Sequence, residues 1–224
     1  MDLDLTGKHA LVCGASQGIG RAIVKELAME GVQVFATARN EALLNSLKEE
    51  VIAAGGVEPL TFVQDFVAPE GPQQIAAAAL ASLGNVDILI NNAGRSCPLD
   101  VVGPEDAWQN SMALDFDRPR QLTQALLPHF IERRQGVILN LISNYELRSV
   151  NVSAVAKAAI VSWSKQLAGQ LGQYGIRVNS LQPGLIDTEN IRRFFNAAER
   201  KKFAESEIPL GDFGEPEDMA NMAV

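Results

Sequence analysis

Residues 13–20, Cys-Gly-Ala-Ser-Gln-Gly-Ile-Gly, constrain this chain more than any other stretch. They lie between a short apolar run, Ala10-Leu11-Val12, and an amphipathic segment over 21–29. A strand, a glycine turn and a helix start in that order set glycines, whose backbone can approach a ligand closely, beside the free N–H groups of a helix N-terminus. The spacing G-x-x-x-G-x-G differs from the G-x-G-x-x-G of the common dinucleotide fingerprint. Taken alone it fits a phosphate-binding turn, or a glycine-rich turn with no ligand.

The rest of the chain alternates strand and helix signals. Apolar runs predict strands at 8–12, 33–38, 58–64, 86–90, 136–142 and 177–182. Helical periodicity predicts helices at 20–30, 41–54, 69–83, 104–134 and 152–173 and the start of another at 215–224. Gly31 ends the first helix, and Pro119 is expected to kink the long one. Residues 185–209 read as a partly helical insertion carrying Phe194, Phe195 and Phe203, suited to covering an apolar substrate. The alternation predicts an α/β fold, a single parallel, doubly wound sheet with helices on both faces. The chain of 224 residues is one domain, with no linker or solenoid repeat. The final helix is expected to have nothing after it to pack beneath, so the chain reads as shortened at its C-terminus.

Composition narrows the partners. A net charge of -8 without a basic cluster argues against nucleic acid and anionic membrane, and no apolar run approaches the length of a membrane span. Cys13 and Cys97 are far apart in sequence, which fits a reducing cytoplasm rather than a disulfide. Cys97 reads as a small apolar filler. His9 and His129 lack metal-ligand spacing, so no metal is expected. Arg39 follows the second strand, and 33–40 contain no acidic residue. A guanidinium there suits a phosphate and favours NADP(H) over NAD(H); the alternative is a surface arginine paired with Glu41.

Together these motifs strongly resemble the short-chain dehydrogenase/reductase family. The resemblance rests on Gly14, Gly18, Ile19 and Gly20, on Asp65, and on Asn91-Asn92-Ala93-Gly94. It extends to Lys157 in an Ala/Ser-rich helix, Arg177-Val178-Asn179, Pro183-Gly184 with Thr188, and 214–218. It implies a Rossmann-like domain that binds a nicotinamide dinucleotide and interconverts a carbonyl and a secondary alcohol of a small-molecule substrate. Gly14, Ser16, Gln17, Gly18, Ile19 and Gly20 are implied to bind the pyrophosphate, Asp65 and Phe66 to flank the adenine, and Asn91, Ala93 and Gly94 to pass the ribose. Pro183, Gly184, Ile186 and Thr188 are implied at the nicotinamide, with Lys157 on its ribose. The family also implies a homodimer or homotetramer built on the two long helices, and a further final strand.

The catalytic positions depart from the family's pattern. Lys157 is intact, but Ser153 stands four residues before it, where the family has tyrosine. An aliphatic hydroxyl is a much weaker acid than a phenol of pKa about 10. Asn144 takes the place of the usual serine, with Ser143 beside it, and Asp115 stands where the family has asparagine. Three readings stay open: another acid such as Tyr145 or a protonated Asp115, weak catalysis through water, or cofactor binding without turnover, as in a sensor or assembly protein. Asp115 reads equally as a surface carboxylate paired with Arg118, and Tyr145 as an aromatic covering the core.

Overall fold

The computed structural model describes residues 3–143, 147 and 149–224. Six parallel strands form one sheet in the order β3-β2-β1-β4-β5-β6. They are β1 (His9–Cys13), β2 (Gln33–Ala38), β3 (Leu60–Val63), β4 (Ile88–Asn91), β5 (Gly136–Leu141) and β6 (Ile176–Leu181). Side-chain alternation decides which helices cover which face. Ala10 and Val12 of β1 share one apolar cluster with Ile23 and Leu27 of α1 (Gly18–Met29) and Leu44 and Leu47 of α2 (Glu41–Ala53). Leu11 and Cys13 face the other way. They pack with Ile75 of α3 (Gly71–Leu83), Leu122 and Phe130 of α5 (Arg118–Arg133) and Leu171 of α6 (Val152–Leu171). The predicted architecture is therefore present, with the central strands β1, β2 and β4 buried on both faces and the edge strands β3 and β6 partly exposed.

The strand order reverses between β1 and β4, so the crevice at their carboxyl ends is the expected ligand position for such a sheet. Cys13, Thr37 and Asn91 stand in register there.

The long helix expected over 104–134 is instead three pieces: α4 (Glu105–Met112), a π turn (Ala113–Asp117) and α5. Pro119 accounts for the break. It has no N–H for the carbonyl of residue 115, four positions back, and its ring crowds that carbonyl. The wider turn directs Asp115 into the protein, where it is fully buried.

Two short helices, α7 (Glu189–Arg192) and α8 (Ala197–Glu207), make up most of the insertion. Its base is closed by the Asp187 N–H to Gly214 carbonyl bond (2.8 Å) and the Gly214 N–H to Leu185 carbonyl bond (3.0 Å). The last helix, α9 (Pro216–Ala223), does find a surface. Met219 and Ala220 are buried, and Ala220, Ala223 and Val224 join the cluster built on α1. The flank of α1 thus supplies the surface on which this last segment packs.

Candidate active site

The glycine turn is built for close approach. Gly14 is left-handed (φ 73°), and a Cβ there would lie 2.8 Å from the Ala93 Cα. Its N–H and that of Ala15 donate to the Thr37 carbonyl at 3.0 and 3.1 Å, so β2 carries the turn. The Asn92 amide donates to the Gly14 carbonyl at 3.0 Å and the Cys13 carbonyl at 3.3 Å. A side chain on Gly20 would collide with that amide and with the Gly14 carbonyl. The helix start itself is open: the Gln17 side chain makes no capping bond, and the first turn of α1 has no acidic residue. Two buried oxygens along the same crest, Thr37 Oγ1 and Asn91 Oδ1, have no partner. Bare glycines and open helix N–H groups fit a dinucleotide phosphate lying across the turn, and the Asn91 amide oxygen, an acceptor only, suits a donor such as a ribose hydroxyl rather than the phosphate.

Around this turn the predicted residues divide. Ser16 offers its carbonyl to Arg21 (3.2 Å), whose guanidinium also reaches the Leu43 carbonyl (2.9 Å), Ser46 (3.1 Å) and Glu50 (2.5 Å). That fan of bonds ties the loop to α2, and Arg21 holds the Glu50 carboxyl below its ordinary range. Arg39 is exposed past β2 and makes no ion pair with Glu41. Asp65 accepts from the Val67 N–H at 3.0 Å, Phe66 is buried, and Arg118 braces the loop through the Val67 carbonyl. The Asn91 amide donates to Thr123 (2.9 Å) and Asn140 (2.8 Å), so its side chain binds core elements together, while Ala93 and Gly94 carry the backbone onward. Ile186 is buried. Thr188 caps α7, and its methyl would lie 3.2 Å from a Cβ on Gly18. Pro183 and Gly184 lead from β6 toward these two residues.

The second half of the site is a buried polar group. Lys157, on α6, donates to the Leu141 carbonyl at 2.8 Å and lies 3.9 Å from the Asp115 carboxylate. Asp115 accepts from the Ser111 hydroxyl (3.0 Å) and the Arg95 N–H (3.3 Å), and the buried Ser153, one turn before Lys157 on α6, also favours its carboxylate form. Burial pushes the Asp115 carboxyl above its ordinary range against the opposing pull of Lys157. The same burial pushes the Lys157 ammonium below its own, against the pull of Asp115. A Cβ on Gly94 would lie 2.7 Å from the carboxylate and 3.2 Å from the Lys157 Nζ, so this pair is pressed against bare backbone. The surface pairing of Asp115 with Arg118 does not occur: Arg118 reaches Val67 and Gln121. Ser143 is half-buried beyond β5. Asn144 and Tyr145 lie outside the described residues.

A short-chain dehydrogenase family model matches residues 8–199. The chain belongs to that family. Gluconate 5-dehydrogenase of Gluconobacter oxydans is 32% identical over 98% of this chain and 87% of its own length. Among solved structures, L-sorbose reductase from Gluconobacter frateurii, complexed with NADPH and L-sorbose, superposes with a TM-score of 0.93. It is 30% identical, over 100% of this chain and 90% of that one. A 7α-hydroxysteroid dehydrogenase complexed with NADH and 7-oxo glycochenodeoxycholic acid gives 0.92 at 30% identity, over 99% and 88%.

In this chain the insertion forms an aromatic wall. Phe203 stacks at 5.5 Å from Phe195 and 6.3 Å from Phe213. With Phe194, Glu199, Lys202 and Ser206, two of these rings line a recess of about 350 Å³. Asp187 holds the segment from below through Arg192 (3.0 Å) and Arg200 (3.6 Å), which keep its carboxyl below its ordinary range. His9 and His129 are engaged with Asn85 and the Val86 N–H, and the described residues contain no cluster of three metal ligands. Sequence reasoning missed Asn92 and Arg21 as supports of the glycine turn. Asn92 lay within a recognised motif; Arg21 directly follows the last glycine, one turn from where α2 packs.

Proposed function

We propose that the protein is an NADP(H)-dependent oxidoreductase that interconverts a carbonyl and a secondary alcohol of a small molecule by hydride transfer. The observation that carries this reading is the open glycine cradle at the β1–β4 crevice, with the buried Lys157–Asp115 pair beyond Gly94. In the proposed complex, Gly14, Ser16, Gln17, Gly18, Ile19 and Gly20 hold the pyrophosphate. Arg39 pairs with the 2′-phosphate, Asp65 and Phe66 flank the adenine, and Ala93 and Gly94 pass beneath the ribose. Ile186 and Thr188 face the nicotinamide, and Lys157 orients its ribose. When bound, the nicotinamide supplies or accepts the hydride. The protein's own work is to fix the acceptor carbon, exclude water with the aromatic wall, and manage a proton near Ser143 and Ser153.

A second reading rests on Ser153, which stands four residues before Lys157 where the family resemblance implies a tyrosine. On that reading the chain binds NADP(H) as a sensor or assembly protein and turns nothing over. NADPH oxidation with a panel of ketones and ketoses, beside Lys157→Ala, separates the two. Turnover abolished by the substitution supports the enzyme; tight NADPH binding with no turnover across the panel favours the sensor. Self-association belongs to the same proposal. Val155 on α6 is half exposed, and Phe116 meets Trp163 edge-on at 6.5 Å, giving the two long helical segments an apolar face.

A further inference from the structure

We propose that Asp115 and Lys157 hold one proton between them and pass it to the substrate oxygen through the Ser153 hydroxyl, so that this centre works without a phenol. The proposal rests on the oxidoreductase reading above.

Three facts of geometry support it. Asp115 is fully buried and Lys157 nearly so, 3.9 Å apart, in a space closed by the Gly94 backbone. The Asp115 carboxylate receives hydrogen bonds from Ser111 on α4 and from the Arg95 N–H, and Ser153, buried one turn before Lys157 on α6, stands on the same side of that helix. Among the described residues, Lys157 is the one charged side chain that acts on Asp115, and Asp115 the one that acts on Lys157. The two groups are therefore coupled to each other and to little else. Such a pair has two forms of equal net charge, carboxylate with ammonium and carboxylic acid with amine. Burial disfavours the ionic form relative to water, and the groups titrate as a unit.

The neutral form gives the site an acid where the family's tyrosine is missing. In reduction, hydride adds to the carbonyl carbon and the C=O π pair moves to oxygen. Ser153 gives its hydroxyl proton to that oxygen and takes the Asp115 carboxyl proton in return. The alcohol forms, Asp115 is left as a carboxylate, and the Lys157 amine regains a proton from solvent. Oxidation of an alcohol runs the same transfers backwards. Asp115 is thus a positioning and proton-holding residue that acts through Ser153.

The test combines two readouts on the whole chain. Carbon NMR of protein labelled at the aspartate carboxyl carbon, with Asp115→Asn for assignment, follows Asp115 directly. The expected result is a midpoint above the ordinary aspartate range that moves further up in Lys157→Met. A midpoint in the ordinary range, unmoved by Lys157→Met, overturns the shared proton. Kinetics with NADPH and a ketose the wild type reduces supply the second readout. Asp115→Asn and Ser153→Ala are each expected to lower kcat about 100-fold or more, with KM and NADPH affinity little changed and the pH dependence of kcat altered in Asp115→Asn. An Asp115→Asn enzyme within about threefold of wild type over the same pH range overturns delivery through Asp115. A wild type that binds NADPH but reduces nothing removes the oxidoreductase reading instead, and the carbon titration then decides the proton sharing by itself.

Discussion

Gly94→Ala tests the packing of the buried pair with one carbon atom. Gly94 has no left-handed backbone, so alanine meets no conformational obstacle there. Its Cβ would lie 2.7 Å from the Asp115 Oδ1 and 3.2 and 3.3 Å from the Lys157 Nζ and Cε. Carbon and oxygen settle at about 3.3–3.6 Å, so the carboxylate must retreat by more than half an ångström, roughly one bond's worth of hydrogen-bond tolerance. It is pinned by Ser111 at 3.0 Å and the Arg95 N–H at 3.3 Å. Losing one hydrogen bond to a buried charged group costs about 1.5–3 kcal/mol. In a domain of this size that lowers Tm by roughly 3–12 °C. Thermal unfolding followed by circular dichroism at neutral pH measures it. Gly169→Ala in α6 is the matched control: its Cβ meets nothing within 4 Å, and alanine there should add about 0.5–1 kcal/mol. A Gly94→Ala protein as stable as wild type refutes the claim that the pair is held tightly against this backbone.

Other outcomes follow from the same structure. Gly14→Ala forces a left-handed alanine, costing about 1–2 kcal/mol, and drives its Cβ into Ala93; NADPH binding, read by fluorescence, should be lost while a folded protein of lower Tm remains. Asp87 is pushed up by burial but held below its ordinary range overall by the His9 N–H, Arg133 and Asn85. Because its folded pKa is depressed, its stabilisation is present above the ordinary aspartate value and is lost as pH falls through the folded one. Asp87→Asn should therefore destabilise at pH 7, and its difference from wild type should shrink as pH falls through the depressed folded pKa, as urea unfolding over a falling pH series will register. Arg39→Asp should reverse the preference between NADPH and NADH, and an unchanged ratio of dissociation constants would remove the argument for the 2′-phosphate.

The centre of the sheet was legible because β1, β2 and β4 are short runs buried on both faces, which leaves their signal uninterrupted, while β6 shows the alternation of a strand with one face exposed. The glycine turn was legible because left-handed and close-approach positions admit little besides glycine. What escaped was governed by third dimensions that spacing does not encode. Residues 113–117 have the periodicity of one continuous helix, yet a π turn rotates everything before it relative to α5. Asp115 and Arg118, three apart, look like neighbours on a helix surface; the wider turn sends them to opposite sides. Pro119 was the available clue, and its consequence falls on the residue four places earlier. The packing of α9 on α1 was equally hidden, since nothing in 18–29 marks which flank is left for a distant segment.

The two departures from the family's pattern are best understood together. The family resemblance implies tyrosine at 153 and asparagine at 115; this chain has a buried serine and a buried aspartate there. A carboxylate on the protein surface would be an inexpensive substitution. This one is withdrawn from water on a distorted turn, which costs several kcal/mol unless its partners compensate. Ser111, the Arg95 N–H and Lys157 are the partners that do so. The same lysine that would orient a nicotinamide ribose is therefore also the group that makes a buried Asp115 tolerable. A change at Lys157 must therefore alter proton handling and cofactor geometry together, whereas Asp115→Asn and Ser153→Ala should alter proton handling with NADPH affinity little changed.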